Sequence, residues 1–110
     1  MKIAYVAHPL SGPDRASNIA RAQRWYGWLL RTFPGRGFVM DWALYAEQLD
    51  DTPANRARGL DFDVELIRRC DEVWLVGGYV SPGMDIEQEA GVKAGKKIVD
   101  LTFLGLEPPT

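Results

Sequence analysis

The sequence predicts an α/β fold, a three-layer, doubly wound open parallel sheet of flavodoxin/Rossmann-like form, in one domain over residues 1–110. Three observations predict it. Two short apolar runs, KIAYVAH (2–8) and VWLVG (73–77), are continuous rather than alternating, as strands buried on both faces are. Stretches with apolar residues at helical spacing lie between and after them. Strand and helix signals alternate as βαβαβαβ, which gives strand order 2-1-3-4 with the switch point between strands one and three. Ligands in such sheets bind beyond the carboxyl ends of the strands at that switch. The loops HPLSGPD (8–14) and GYVSPG (78–83) therefore face one crevice.

The elements follow in order. Strand one is KIAYVAH, bounded by Pro9. Ser17 or Asn18 caps helix one, which runs to about Phe33 with Ile19, Ala22, Tyr26, Leu29 and Phe33 inward. Pro34-Gly35 ends it. Phe38-Val39-Met40 is a short second strand. Residues 41–56 show weak periodicity and read as a long functional loop with a short helical turn. Helix two covers about 57–70, with Leu60, Val64 and Ile67 inward. VWLVG is the central strand, helix three spans about 84–94, and KIVDLT (97–102) is the last strand before a short tail.

Composition narrows the function. The chain is 46% hydrophobic and 25% charged, the balance of a globular domain. No apolar stretch approaches the roughly 20 residues of a membrane span, and MKIAYVAHP reads as a strand, not a signal peptide. The single cysteine, Cys70, reads as a buried thiol, and the expected compartment is the cytoplasm. The net charge of −2 conceals an asymmetry, +5 over residues 1–36 and −8 over residues 37–91. The basic segment reads as a solvated helix face. With an acidic pI of about 5.3, polymeric nucleic acid is not an expected partner. Neither GxGxxG nor GxxxxGK[ST] occurs, and one His with one Cys makes no metal-ligand set, so no cofactor or metal is expected.

Four residues carry the chemistry: Asp63, Asp71, Ser81 and Glu87. Asp63 stands on the apolar stripe of helix two between Leu60 and Ile67, where a carboxylate is costly unless paired or functional. Burial there raises its pKa, which suits a proton donor, although an arginine or amide partner would equally explain it. Glu87 reads as a first-turn residue of helix three, held ionised by the helix dipole; a surface glutamate would look the same. Asp71 reads as a structural cap of the central strand. Ser81 and Gly83 open helix three and make an anion site or simply a cap. His8, Ser11, Gly12 and Arg15 are candidates for holding a phosphate, although a lone His after a strand is more often structural. Trp42 and Tyr45 can stack on a base or pack in the core. Trp25 and Trp28 fall partly off the inner stripe of helix one, which suggests a homodimer contact.

These residues carry a family resemblance. The spacing D-x7-D-x9-S-x5-E over 63–87, followed by Gly95-Lys96 and the last strand, resembles the nucleoside 2-deoxyribosyltransferase-like family, nearest its 2′-deoxynucleoside 5′-phosphate N-hydrolase branch. The stretch LDD-x-P-x-x-R-x-x-G-L (49–60) also looks like a related group of small proteins, mostly without assigned activity. The resemblance implies that Glu87 is the nucleophile at the anomeric carbon, that Asp63 assists departure of the base, and that Tyr5 sits beside the nucleophile. It implies a small-molecule nucleotide as substrate. Nucleoside transferases carry a carboxylate where this chain has Ser81, and a serine can donate to a 5′-phosphate that a carboxylate would repel. Two departures stand out: Glu89 replaces the family glycine two positions after the nucleophile, and HPLSGPDR is not the usual phosphate loop.

The resulting expectation is cleavage of the N-glycosidic bond of a (deoxy)nucleoside 5′-monophosphate through a glycosyl-glutamate, by hydrolysis or base transfer. The alternatives are a nucleotide-binding module without catalysis, a transferase acting on free nucleosides, and an enzyme for another N-glycoside.

Overall fold

A computed structural model describes residues 1–110. The order of elements is β1 (Lys2–Ala7), α1 (Arg15–Thr32), β2 (Arg36–Val39), α2 (Asp41–Gln48), α3 (Pro53–Arg69), β3 (Glu72–Leu75), α4 (Pro82–Lys93) and β4 (Lys97–Asp100), then a 3-10 turn at Thr102–Leu104. The four strands form one parallel sheet in the order β2-β1-β3-β4. This is the topology the alternating signals predict.

Side chains alternate across a strand, so each strand serves both faces of the sheet. Ala4, Val6, Trp74 and Val76 pack with Trp25 and Leu29 of α1 on one face. Tyr5, Ala7, Val73 and Leu75 pack with residues of α2, α3 and α4 on the other. This parity aims Tyr5 at the helices that carry Asp63 and Glu87. At the amino end of the sheet, Asp71 accepts a hydrogen bond from the Ile3 amide at 2.8 Å, the capping role expected of it. Beside it the buried Glu72 takes Arg36 at 2.7 Å and the Trp74 indole N–H at 2.9 Å. This polar network ties β2 to β3 far from the crevice.

Several boundaries differ from the sequence reading. Residues 41–56 are not mainly loop: α2 forms a full helix at Asp41–Gln48, burying Trp42, Ala43 and Ala46. Its alanines and glutamate favour helix, but eight residues are too few for a clear period. Helix α3 begins at Pro53 rather than near 57, because Thr52 caps it, accepting from the Asn55 amide, and Pro53 supplies a preset φ at its start. Helix α1 begins at Arg15, with Asp14 rather than Ser17 or Asn18 at its N-cap. Its inward stripe includes Trp25, which is fully buried and donates its indole N–H to the Leu106 carbonyl at 2.8 Å. Tyr26 and Phe33, read as inward, are half-buried. Trp25 is therefore core rather than surface, and the dimer expectation loses that support. The tail also has a place: Glu107 pairs with Arg24 at 2.7 Å. No helix is long and apolar enough to cross a membrane.

Candidate active site

Beyond the carboxyl ends of β1 and β3 lies a cavity of about 380 Å³. The loop after β1 and the start of α1 contribute His8, Leu10, Ser11 and Arg15. Helix α2 and the residue after it contribute Trp42, Tyr45, Ala46 and Leu49. Helix α3 brings Gly59, Leu60 and Asp63, and the start of α4 brings Ser81, Pro82, Gly83, Met84 and Glu87. The switch-point argument places a ligand here, and the elements converge as it requires.

Two carboxyl groups form the floor. Asp63 is 8% exposed and Glu87 7% exposed, and neither forms an ion pair with an arginine or lysine. The fully buried Tyr5 donates its hydroxyl to Glu87 Oε2. Asp63 lies near enough for its charge to raise both Tyr5 and Glu87. Three titratable groups thus share one desolvated corner.

Their electrostatics follow from burial. Desolvation is the largest cause that pushes Glu87 up to about 8, opposed by the Tyr5 hydrogen bond and reinforced by Asp63. Asp63 is raised to about 7, again chiefly by burial. Tyr5 is held well above the ordinary phenol value by burial and by both carboxyls. The pair therefore retains a proton at neutral pH. This corrects the expectation that the helix dipole keeps Glu87 ionised. Helix α4 starts at Pro82, not near 84, so Asp85 occupies the first turn and Glu87 lies one turn deeper, against Tyr5. The dipole effect is largely confined to the first turn, and desolvation outweighs it at Glu87.

Ser81 is the N-cap of α4: its Oγ accepts from the Met84 amide at 3.3 Å, while its own amide donates to the Met84 sulfur at 3.4 Å. Accepting leaves the hydroxyl proton free to donate into the cavity. Arg15 is half-buried and has no acidic partner. Ser11 is exposed at the rim.

Of the other two residues expected to hold phosphate, His8 lines the cavity and Gly12 does not. Gly12 is exposed and lies outside the cavity lining, where its φ of 129° makes a turn. His8 is buried, and burial pushes it down to about 4, so it is neutral at pH 7. Its Nδ1 is bound to the Pro9 carbonyl at 2.6 Å and its Nε2 faces Arg21 at 3.4 Å. That leaves its ring face, parallel to Trp42 within 12° at a centroid separation of 6.3 Å. Trp42 is itself fixed by donating its indole N–H to the Val6 carbonyl at 2.8 Å.

The 49–60 stretch contributes residues that sequence reasoning did not place in the site. Asp50, Asp51, Asn55 and Arg56 line the mouth. Arg56 pairs with Asp51 at 3.2 Å, and the Asn55 side chain ties back to the Asp50 carbonyl at 2.9 Å. The Thr52-Pro53 pair was the available signal, since a cap followed by proline marks a helix start and draws these residues onto one element.

Residues 2–101 match the model of a family described as "Domain of unknown function (DUF7768)", and the chain belongs to that family. No curated protein matches it. Among solved structures it is similar to the CMP N-glycosidase BcmB of Clostridium botulinum, with a TM-score of 0.53 and 21% sequence identity over 90% of this chain and 67% of that one. The likeness is one of fold.

Proposed function

We propose that this member of the DUF7768 family cleaves the N-glycosidic bond of a nucleoside 5′-monophosphate. The observation that carries the reading is the pair Asp63 and Glu87 lining one cavity, with Tyr5 buried against Glu87 and Ser81 and Arg15 among the other lining residues. Two desolvated carboxyls without a cationic partner are a poor structural device, whereas one shared proton between them equips the pair for acid and nucleophile work. The fold likeness to a CMP N-glycosidase supports the same class of reaction.

The chemistry balances with one proton. The proton rests on Glu87, the higher of the two; in the reactive form it has passed to Asp63, and the Tyr5 hydroxyl steadies the ionised Glu87. A Glu87 oxygen attacks C1′ and the C1′–N bond breaks. Its electron pair goes to the base, which takes the Asp63 proton. Water, deprotonated by Asp63, then attacks C1′ and frees Glu87 and the sugar phosphate. A second base in place of water gives transfer. In this covalent, retaining course the two carboxyls work about 5–5.5 Å apart, against about 6.5–9.5 Å in an inverting one.

Ser81 and Arg15 favour the monophosphate over the free nucleoside, because both can donate to a phosphate and neither repels it. Incubation with a panel of ribo- and deoxyribonucleoside monophosphates, followed by chromatography for free base, tests the proposal. Release that disappears in Glu87→Gln supports it. No release from any substrate, or undiminished release by the variant, removes it.

A further inference from the structure

Helix α2 presents Trp42 and Tyr45 to the cavity, with Leu49 just past its end, successive positions of one helical face. Trp42 is buried, whereas Tyr45 is half-buried and held at its tip. Its hydroxyl donates to the Asn55 carbonyl at 2.9 Å, so the far end of the ring is anchored to the first turn of α3. The Arg58 guanidinium lies 6.0 Å from the ring centroid. Against the ring edge stands Gly59, itself part of the cavity lining, where an added Cβ would come within 2.9 Å of Tyr45 Cε1. The ring thus rests directly on the α3 backbone and cannot move closer to it without strain.

The cavity measures about 380 Å³. That is near the low end of the roughly 300–1,000 Å³ usual for ligand sites. On the reading proposed above, the same space must take a phosphate, a pentose and a base. The phosphate belongs with Ser81 and Arg15, and C1′ with Glu87 and Asp63. The apolar α2 face is what remains for the base.

We propose that Tyr45, seated against Gly59, is the specificity-determining wall of this cavity and restricts the base to a single ring. This rests on the nucleotide reading, and goes beyond it by naming the substrate class as pyrimidine monophosphates. The contact also gives Gly59 a role: any larger residue there would push the Tyr45 ring from its seat.

The test separates binding from cleavage. In Glu87→Gln protein, dissociation constants for intact CMP, UMP, AMP and GMP are measured by calorimetry. The pyrimidine nucleotides are expected to bind at least tenfold more tightly than the purine nucleotides. Adding Tyr45→Ala is expected to erase that ratio, whereas Tyr45→Phe, which keeps the ring, preserves it. Circular dichroism confirms that each variant is folded, and Tyr45→Leu replaces Tyr45→Ala if the latter is not. Equal binding of purines and pyrimidines before the Tyr45 change, or an unaltered ratio after it, overturns the proposal. Absence of binding by all four overturns it together with the nucleotide reading. Selective binding without base release from the native chain leaves the wall standing and sinks only the cleavage step.

Discussion

Replacing Glu87 by Gln should make this protein more stable at pH 8 while making it inactive. Glu87 and Asp63 are buried together, and burial raises both, Glu87 to about 8. In the unfolded chain each titrates near the ordinary carboxyl value, so the folded state binds the extra proton over the interval between. Stability is then fully present below the unfolded value and falls as pH rises through the folded one. Each extra proton held by the folded state costs about 1.4 kcal/mol per step of one in pH, so the Glu87 share of the loss between pH 5 and pH 8 is about 4 kcal/mol, and Asp63, raised to about 7, adds a smaller share. Gln is neutral throughout and fills the same volume, so most of that slope should vanish. For a urea m-value of about 1–3 kcal/mol/M, the native midpoint should drop by ~1–4 M from pH 5 to pH 8. The Glu87→Gln midpoint should drop by less than half as much. Urea titrations at both pH values, followed by tryptophan fluorescence, measure this. A native midpoint independent of pH, or an equal slope in the variant, would refute the shared-proton reasoning.

Other perturbations follow from the same contacts. Tyr5→Phe removes the donor that favours the Glu87 carboxylate, so the ascending limb of the pH–rate profile should move to higher pH and kcat at neutral pH should fall about 10–100-fold. Ser81→Asp sets a carboxylate where the phosphate is proposed to lie; it keeps the cap of α4 and should raise KM for monophosphates by tenfold or more, measured beside the free nucleoside, whose KM should change little. Trp25→Ala empties a fully buried site and should cost about 3–5 kcal/mol in chemical denaturation, with the oligomeric state by sedimentation unchanged.

The sheet was legible because β1 and β3 are continuous apolar runs, and their order follows from connection rules rather than from fine detail. Asp63 was legible for a sharper reason: a carboxylate on the Leu60–Ile67 stripe breaks the pattern, and the structure buries it against Tyr5 and Glu87. What the sequence hid depends on burial and partners. The state of Glu87 turned on whether the helix begins at Pro82 or two residues later, a difference that moves it from the dipole's reach to a desolvated corner. His8 looked like a phosphate ligand until both ring nitrogens were seen to be engaged. Trp25 looked exposed because a periodic stripe drawn through Tyr26 left it to one side, while the Leu106 carbonyl draws it inward. The Tyr45–Gly59 contact joins two helices, one of them read as loop, and no local pattern announces it.

The covalent step is the most direct test. A pyrimidine nucleoside monophosphate with fluorine at C2′ slows hydrolysis of the sugar ester, and intact-protein mass spectrometry after mixing reads the adduct. The account predicts a mass increase of one 2-fluoro-2-deoxypentose phosphate, carried on the peptide containing Glu87 and absent from Glu87→Gln. Base release with no adduct, or an adduct on any other residue, would contradict it.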